Sequence, residues 1–163
     1  MSSNIRPVNI DDAQAICDLY NYYVENTVIS FEAEPVSLED MEDRITQTSS
    51  QFPWIVYVNE GKLVAYAYAN QWKSRAAYRY TLECTVYAAH DLTEKGVGTK
   101  LYQHLFNELN NSFVRSVMAV IALPNPASVG LHEKMGFTKV AHFQEVGYKK
   151  DQWIDVGYWQ KML

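Results

Sequence analysis

Basic residues and long apolar runs are both scarce in this chain of 163 residues. Lys and Arg number 14 against 19 Asp and Glu, so the formal net charge is -5. Proteins that bind nucleic acid through a broad electrostatic surface carry positive charge, so we expect no nucleic-acid partner. No apolar run approaches the roughly 20 residues of a membrane-spanning helix, and the N-terminus lacks the apolar segment of a signal peptide. We therefore expect a cytoplasmic protein with no membrane partner.

Cysteine is equally scarce. Cys17 and Cys84 are too few and too far apart for a disulfide framework or for a zinc or redox motif, and we expect no metal site. Both are predicted to be reduced core residues. Hydrophobic residues make up 48% of the chain, enough for a substantial core, and no repeat or low-complexity segment interrupts it. The sequence therefore predicts one domain over residues 1–163.

The order of predicted elements is strand, two helices, three strands, helix, strand, helix and two strands. Residues 5–8 predict the first strand, and Asp11 or Asp12 is expected to cap the first helix. Ser37 is expected to cap the second helix. The next elements are predicted at residues 54–58, 63–70 and 78–87 for strands, 98–110 for a helix, 114–121 for a strand and 126–135 for a helix. Tight turns between consecutive strands predict a mixed, mostly antiparallel sheet with helices on its faces.

A glycine-rich turn, Glu94-Lys95-Gly96-Val97-Gly98-Thr99, precedes the third predicted helix. Free backbone N–H groups at a helix N-terminus bind phosphate groups, and Gly96 and Gly98 would let the main chain approach them closely. Two glycines at a helix start are also common for structural reasons alone. The turn is not a P-loop, and Leu101 stands where a dinucleotide-binding fingerprint has its third glycine.

A second motif covers residues 125–137, with the sequence NPASVGLHEKMGF. Its spacing is Asn125, then Ser128, His132 and Gly136. The two motifs together resemble those of the GNAT superfamily of acyl-CoA N-acyltransferases, which usually has Gln or Arg at the position of Thr93 and Tyr at that of His132. The histidine and the W-x-D-V-G-x-W segment at residues 153–159 resemble the phosphinothricin and methionine sulfoximine acetyltransferase branch.

This resemblance implies a single α/β GNAT domain whose sheet is splayed between the fourth and fifth strands to admit the pantetheine arm. It implies acetyl-CoA as the acetyl donor, a small-molecule amine as the substrate and a homodimer. The residues that it places at the cofactor are Val86, Tyr87, Ala88, Glu94, Lys95, Gly96, Val97, Gly98, Thr99, Asn125 and Ser128.

Glu83 lies in the middle of an apolar predicted strand, where a carboxylate is costly unless it is paired or useful. Exposure at a sheet edge is the alternative. The resemblance makes Glu83 the base that takes a proton from the substrate amine, and partial burial would raise its pKa. It makes His132 the group that assists the departing thiolate or positions the substrate. Because side chains alternate along a strand, Cys84 should face away from Glu83, which favours direct attack in a ternary complex over an acyl-cysteine intermediate.

Lys73, Arg75 and Arg79 form a basic cluster with Trp72 and Tyr78 in an otherwise acidic chain. A solvated loop is one interpretation. The resemblance favours another, recognition of a carboxylate or tetrahedral anionic group, which Arg binds in a bidentate manner. The substrate-binding candidates are therefore Lys73, Arg75, Tyr78 and Phe31, although Phe31 is equally consistent with ordinary core.

The function predicted from these residues is transfer of acetyl from acetyl-CoA to the primary amine of a small amino-acid-like substrate. Phosphinothricin, methionine sulfoximine and methionine sulfone represent the expected type. The alternatives are N-acetylation of a protein N-terminus or another amine, and a non-catalytic acyl-CoA sensor. A sensor needs no acid-base groups, so Glu83 together with His132 favours catalysis.

Overall fold

Seven strands form one sheet in a computed structural model that describes residues 3–163. In chain order the elements are β1 (Ser3–Pro7), α1 (Ala13–Asn26), α2 (Leu38–Ser49), β2 (Trp54–Asn59), β3 (Lys62–Gln71), β4 (Thr81–Ala88), α3 (Val97–Asn110), β5 (Ser116–Leu123), α4 (Pro126–Lys134), β6 (Thr138–Lys149) and β7 (Gln152–Met162). The spatial order is β1-β2-β3-β4-β5-β7-β6, and within residues 3–163 the only parallel pair is β4 with β5. The predicted element order and the mixed, mostly antiparallel sheet are confirmed.

The start of α1 differs from the prediction that Asp11 or Asp12 caps it. Asn9 instead begins a short 3₁₀ turn over Ile10–Asp12, and its side chain accepts a hydrogen bond from the Asp11 N–H at 3.0 Å. Asp12 stands at the N-cap of α1 without capping it, because its carboxylate accepts from the Arg6 guanidinium at 2.7 and 2.8 Å and from the Asn9 N–H. The preceding Asn provides the cap, and Asp12 ties α1 to β1.

Helices cover both faces of the sheet, and side-chain alternation along β4 assigns each residue to one face. Leu82 and Cys84 belong to the core under α3, whose residues Val97, Leu101, Leu105 and Leu109 lie one turn apart and are all buried. Tyr87 points to the other face, where it packs against the core under α1 and α2. The predicted alternation of this strand is confirmed, and it divides the site described below between two faces.

The β4–β5 pairing ends early. Only three positions are in register, Thr81 with Ser116, Leu82 with Val117, and Glu83 with Met118. Beyond them, β4 continues to Ala88 and stays paired with β3, and β5 continues to Leu123 and stays paired with β7. Residues 84–88 and 119–123 therefore diverge and leave a V-shaped opening in the middle of the sheet. This opening confirms the predicted splay between the fourth and fifth strands.

Candidate active site

A cleft of about 510 Å³ occupies the opening between β4 and β5. It is lined by the divergent segments of both strands, by α3 and α4, and by the loop between α1 and α2. The predicted site residues that line it are Phe31, Glu83, Val86, Tyr87, Ala88, Gly98, Asn125, Ser128 and His132. The predicted residues outside its lining are Lys73, Arg75, Tyr78, Glu94, Lys95, Gly96, Val97 and Thr99.

The glycine turn leads into α3 through a left-handed residue. Gly96 has φ 80° and ψ 5°, a conformation that favours glycine, and no side chain caps the helix. The first helical hydrogen bond runs from the Lys100 N–H to the Gly96 carbonyl at 3.0 Å, so the N–H groups of the preceding three residues have no helical acceptor. Such an end fits the diphosphate of a coenzyme A molecule.

Gly98 faces α4 as well as the cleft. A Cβ added there would lie 2.9 Å from Cδ2 of Leu131, which is closer than real Cβ atoms approach. The absence of a side chain at Gly98 therefore leaves room for the Leu131 side chain of α4, in addition to the phosphate approach that the sequence predicts. Its contact with the cofactor stays a prediction.

Glu94 binds protein groups in this structure. Its carboxylate accepts hydrogen bonds from the Tyr57 hydroxyl at 2.6 Å, from Asn59 Nδ2 at 3.3 Å and from Lys100 Nζ at 2.9 Å. These bonds tie the glycine turn to β2 and to the first turn of α3. Glu94 is thus placed to fix the shape of the cofactor turn through its side chain.

Asn125 caps α4 at the open end of β5. Its Oδ1 accepts from the Ser128 N–H at 3.2 Å, and Pro126 occupies the first turn, as the sequence predicts. Within residues 3–163 no other group hydrogen bonds to the side-chain amide of Asn125, so its NH₂ group can face a ligand in the cleft. The predicted contact with the pantetheine arm stays a prediction that this geometry allows.

Glu83 occupies the apex of the opening, because its pairing with Met118 is the last between β4 and β5. Burial raises the pKa of its carboxyl above the ordinary value, and the nearby positive charge of Lys73 opposes the shift. No group in the described part of the chain donates a hydrogen bond to this carboxylate. A half-buried carboxylate with a raised pKa in a cleft is a suitable general base.

His132 lies on the other face and is only 4% exposed. Its Nδ1 is 2.7 Å from the Ser128 carbonyl oxygen, which can only accept, so Nδ1 carries the proton. Its Nε2 then accepts from the Tyr102 hydroxyl at 2.8 Å. Burial lowers the pKa of His132, so the ring is neutral near pH 7 and both nitrogens are already engaged.

Tyr102 is the site residue that sequence reasoning missed. It is fully buried on α3, lines the cleft and bonds to His132. In the sequence it resembles an ordinary core aromatic. The available signal was its position one helical turn after Gly98, which places both residues on the same face of α3.

Cys84 is a poor nucleophile in this setting. Its thiol is buried and donates to the Met118 carbonyl at 3.6 Å, and burial raises the pKa of the thiol to about 12. Since the thiolate is the reactive form, the group is inert near neutral pH. The prediction that both cysteines are free core residues is confirmed.

The basic cluster lies on an exposed loop. Tyr78 packs edge-on against Trp72 at 5.3 Å between ring centroids, and the ammonium of Lys73 lies 5.3 Å from the Trp72 ring. Arg75 is exposed, and Arg79 stacks on Tyr80. None of these side chains forms the cleft wall, although the charge of Lys73 reaches Glu83.

Over residues 3–163, no helix has the length and apolar character needed to cross a membrane. In the same part of the chain, no three His, Cys, Asp or Glu side chains are grouped closely enough to hold a metal ion.

Comparison with family models matches residues 5–157 to the acetyltransferase (GNAT) domain. Among characterised relatives, the chain is 40% identical to a phosphinothricin N-acetyltransferase of Streptomyces viridochromogenes, over 96% of this chain and 86% of the relative. It is 30% identical to the L-methionine sulfoximine/L-methionine sulfone acetyltransferase of Pseudomonas aeruginosa, over 100% and 96% of the two chains.

Two solved structures share the fold over nearly their whole length. A GNAT superfamily phosphinothricin acetyltransferase of Sinorhizobium meliloti in complex with acetyl-CoA has a TM-score of 0.94 and 30% identity, covering 100% of this chain and 89% of that one. A ribosomal-protein-alanine N-acetyltransferase of Brucella melitensis has a TM-score of 0.95 and 30% identity, covering 98% and 99%.

We expect Glu83→Gln to stabilise the protein near neutral pH. A carboxyl whose folded pKa is raised binds more protons in the folded than in the unfolded state, so stability falls as pH rises from the unfolded value of about 4.3 through the folded pKa. Glutamine removes this cost. In thermal unfolding, the variant should therefore gain most in Tm over wild type at pH 7 and progressively less toward pH 4.

The matched control for this measurement is Glu60→Gln at an exposed residue of the β2–β3 turn, where Tm should change little. A lower Tm for Glu83→Gln than for wild type at pH 7 would show that the Glu83 carboxylate is favourably paired in the folded protein.

Proposed function

Because this chain belongs to the acetyltransferase (GNAT) domain family and is an acetyl-CoA-dependent N-acetyltransferase, we propose that its acceptor is the primary amine of a small amino-acid-like molecule. The observation that carries the proposal is Glu83, a base-like carboxylate at the apex of the opening, in a cleft of about 510 Å³. The cleft suits a small molecule, and the names of the relatives indicate the phosphinothricin, methionine sulfoximine or methionine sulfone type.

Acetyl-CoA, which carries the acetyl group as a thioester, fits the opening. The facing edges of residues 84–88 and 119–123 do not pair with each other, so their backbone groups are available to the pantetheine amides and the acetyl carbonyl, except for the Ala88 carbonyl, which accepts from the Tyr23 hydroxyl at 2.5 Å. The uncapped N-terminus of α3 suits the diphosphate, and the Asn125 amide faces the arm between them.

The reaction is arranged across the sheet. Glu83 lies on the α1 and α2 face, where the Phe31 loop leaves room for the acceptor, and takes a proton from its ammonium group. The neutral amine then attacks the acetyl carbon directly in a ternary complex, the C–S bond breaks, and the second proton that the nitrogen loses ends on the coenzyme A thiolate. Cys84 does not enter the reaction as a nucleophile, because its thiol is protonated and bonded to Met118.

Tyr102 and His132 lie on the opposite face, where the departing thiolate forms. Since both ring nitrogens of His132 are engaged, its influence reaches the thiolate through the Tyr102 hydroxyl. His132 therefore holds the Tyr102 oxygen in place, and rotation of the single Tyr102 O–H from His132 Nε2 toward the sulfur lets it donate a hydrogen bond to the departing thiolate. This proposed role differs from the two that the sequence left open, because His132 acts on Tyr102 and neither assists the thiolate directly nor positions the substrate.

Acetylation of a protein N-terminus is the second candidate function. The name of the similar Brucella melitensis protein, a ribosomal-protein-alanine N-acetyltransferase, favours it. The two functions differ in what the acceptor presents, since an amino acid carries a free carboxylate beside the amine and a peptide does not. Arg75 on the exposed loop is our proposed partner for that carboxylate.

We expect methionine sulfoximine, methionine sulfone or phosphinothricin to release thiol from acetyl-CoA faster than spermidine or an alanine-led ribosomal peptide. Amidation of the acceptor carboxylate should reduce kcat/KM. Arg75→Ala should raise the KM of the free acid by roughly 2- to 5-fold, the scale of an exposed ion pair.

Arg79→Ala is the matched control for Arg75→Ala, because this neighbouring arginine stacks on Tyr80. The proposal of an amino-acid acceptor is wrong if the peptide or spermidine outperforms the amino acids, or if the amidated acceptor reacts as well as the acid.

We expect Glu83→Gln to lower turnover by roughly 10²- to 10⁴-fold, the usual contribution of a general base. The defect should shrink as pH rises, because more acceptor amine is then already neutral. The measurement is a pH profile of kcat for wild type and variant, with Glu60→Gln as the control. A defect of equal size at every pH would assign Glu83 to positioning instead of proton removal.

Tyr102→Phe should lower kcat by roughly 10- to 100-fold and leave the KM for acetyl-CoA nearly unchanged, because it removes one hydroxyl at the leaving group. His132→Gln should lower kcat as well, and the double variant should be no worse than Tyr102→Phe. Tyr66→Phe, at a buried tyrosine of the other face, is the control. Full activity of Tyr102→Phe would overturn the role of both residues.

A further inference from the structure

The β6–β7 hairpin contacts the α1–α2 loop at Gly147, directly behind the cleft residue Phe31. We propose that Gly147 is a specificity-determining residue: because it lacks a side chain, the Phe31 ring lies against its backbone and leaves room for longer acceptor side chains. The inference rests on the proposed function, since it concerns the size of the amino-acid-like acceptor.

The contact between the two residues has no space for a methyl group. A Cβ built at residue 147 would lie 2.5 Å from both Cε2 and Cζ of Phe31, a distance that real Cβ atoms do not reach. The left-handed glycines are Gly61, Gly96 and Gly136, so alanine is compatible with the backbone at Gly147. Gly147→Ala is therefore a steric change aimed at one aromatic ring.

The loop around Phe31 is held on several sides. The Tyr20 hydroxyl lies 2.8 Å from Ser30 Oγ, and Lys149 of the hairpin donates to the Ser30 carbonyl at 2.6 Å. On the other side of Phe31, Glu32 accepts from the Arg44 guanidinium at 3.0 Å. Because both neighbours of Phe31 are anchored, its ring takes up the displacement in preference to the loop backbone.

The displaced ring moves into the space of the acceptor. Phe31 lines the same cleft as Glu83, with Gly147 behind its ring, and it is 47% exposed, so it has room to rotate. A ring pushed away from Gly147 therefore covers more of the cleft. An acceptor with a side chain of methionine length meets this ring, whereas an acceptor with a single methyl group does not extend as far from the amine at Glu83.

The test is the ratio of kcat/KM for methionine sulfone to that for alanine, measured by thiol release. In Gly147→Ala we expect this ratio to fall about 10-fold, the scale at which a pocket discriminates by one or more methylene groups. Phe31→Leu alone should raise the ratio. In the double variant the ratio should return toward the Phe31→Leu value, because leucine lacks the ring atoms that the new methyl group meets.

Gly130→Ala is the control, since a Cβ at this exposed residue of α4 meets nothing within 4 Å and should leave the ratio unchanged. Tm values establish that each variant is folded. An unchanged ratio in Gly147→Ala, or a fall that Phe31→Leu does not reverse, overturns the inference while leaving the proposed function intact. If Gly147→Ala is not folded, an unchanged ratio in Phe31→Leu alone overturns it. If wild type acetylates neither of these amino acids, nor methionine sulfoximine or phosphinothricin, the proposed function itself is wrong, and this inference with it.

Discussion

The site depends on the early end of the pairing between β4 and β5. Past Glu83 and Met118 the two strands stop sharing hydrogen bonds, yet each remains paired along its outer edge, β4 with β3 and β5 with β7. The opening is therefore built from strands that the rest of the sheet supports. Unpaired backbone groups inside a sheet need partners, and a ligand with amide and carbonyl groups can supply them.

The same divergence explains why the reactive side chains are divided between two faces. Alternation along β4 sends Glu83 toward α1 and α2 and Cys84 toward α3, while Tyr102 and His132 lie on the α3 and α4 side. Burial raises the pKa of Glu83 and lowers that of His132, so each face holds a titratable group whose charged form is disfavoured. Such shifts lower stability and are tolerated where they serve chemistry.

Local patterns were enough to predict much of the fold. The one-turn spacing of Val97, Leu101, Leu105 and Leu109 and the alternation in β4 depend on neighbours in sequence, and both hold in the structure. Asn, like Asp, is a good N-cap, so residue type alone does not distinguish Asn9 from Asp11 and Asp12. In the structure the Asp12 carboxylate pairs with Arg6, and Asn9 is the cap. That partnership is a tertiary contact.

The two residues that the sequence did not predict at the site, Tyr102 and Gly147, are also placed there by tertiary contacts. The bond between Tyr102 and His132 joins α3 to α4, and the contact between Gly147 and Phe31 joins a hairpin to a loop far away in the chain. Motifs do not encode such pairs, because each residue alone is typical of its own element. Lys73, Arg75 and Tyr78, which the sequence predicted to bind the substrate, lie outside the cleft wall. Residue type alone does not predict the path of the exposed loop that carries them.

A crystal structure of the protein with coenzyme A bound is the most direct test of the claim that the opening between β4 and β5 is the donor site. The account predicts the pantetheine arm between residues 84–88 and 119–123, bonded to strand backbone, with the diphosphate at the N-terminus of α3 and the sulfur beside Tyr102. Coenzyme A bound elsewhere, with the opening closed or empty, would contradict it.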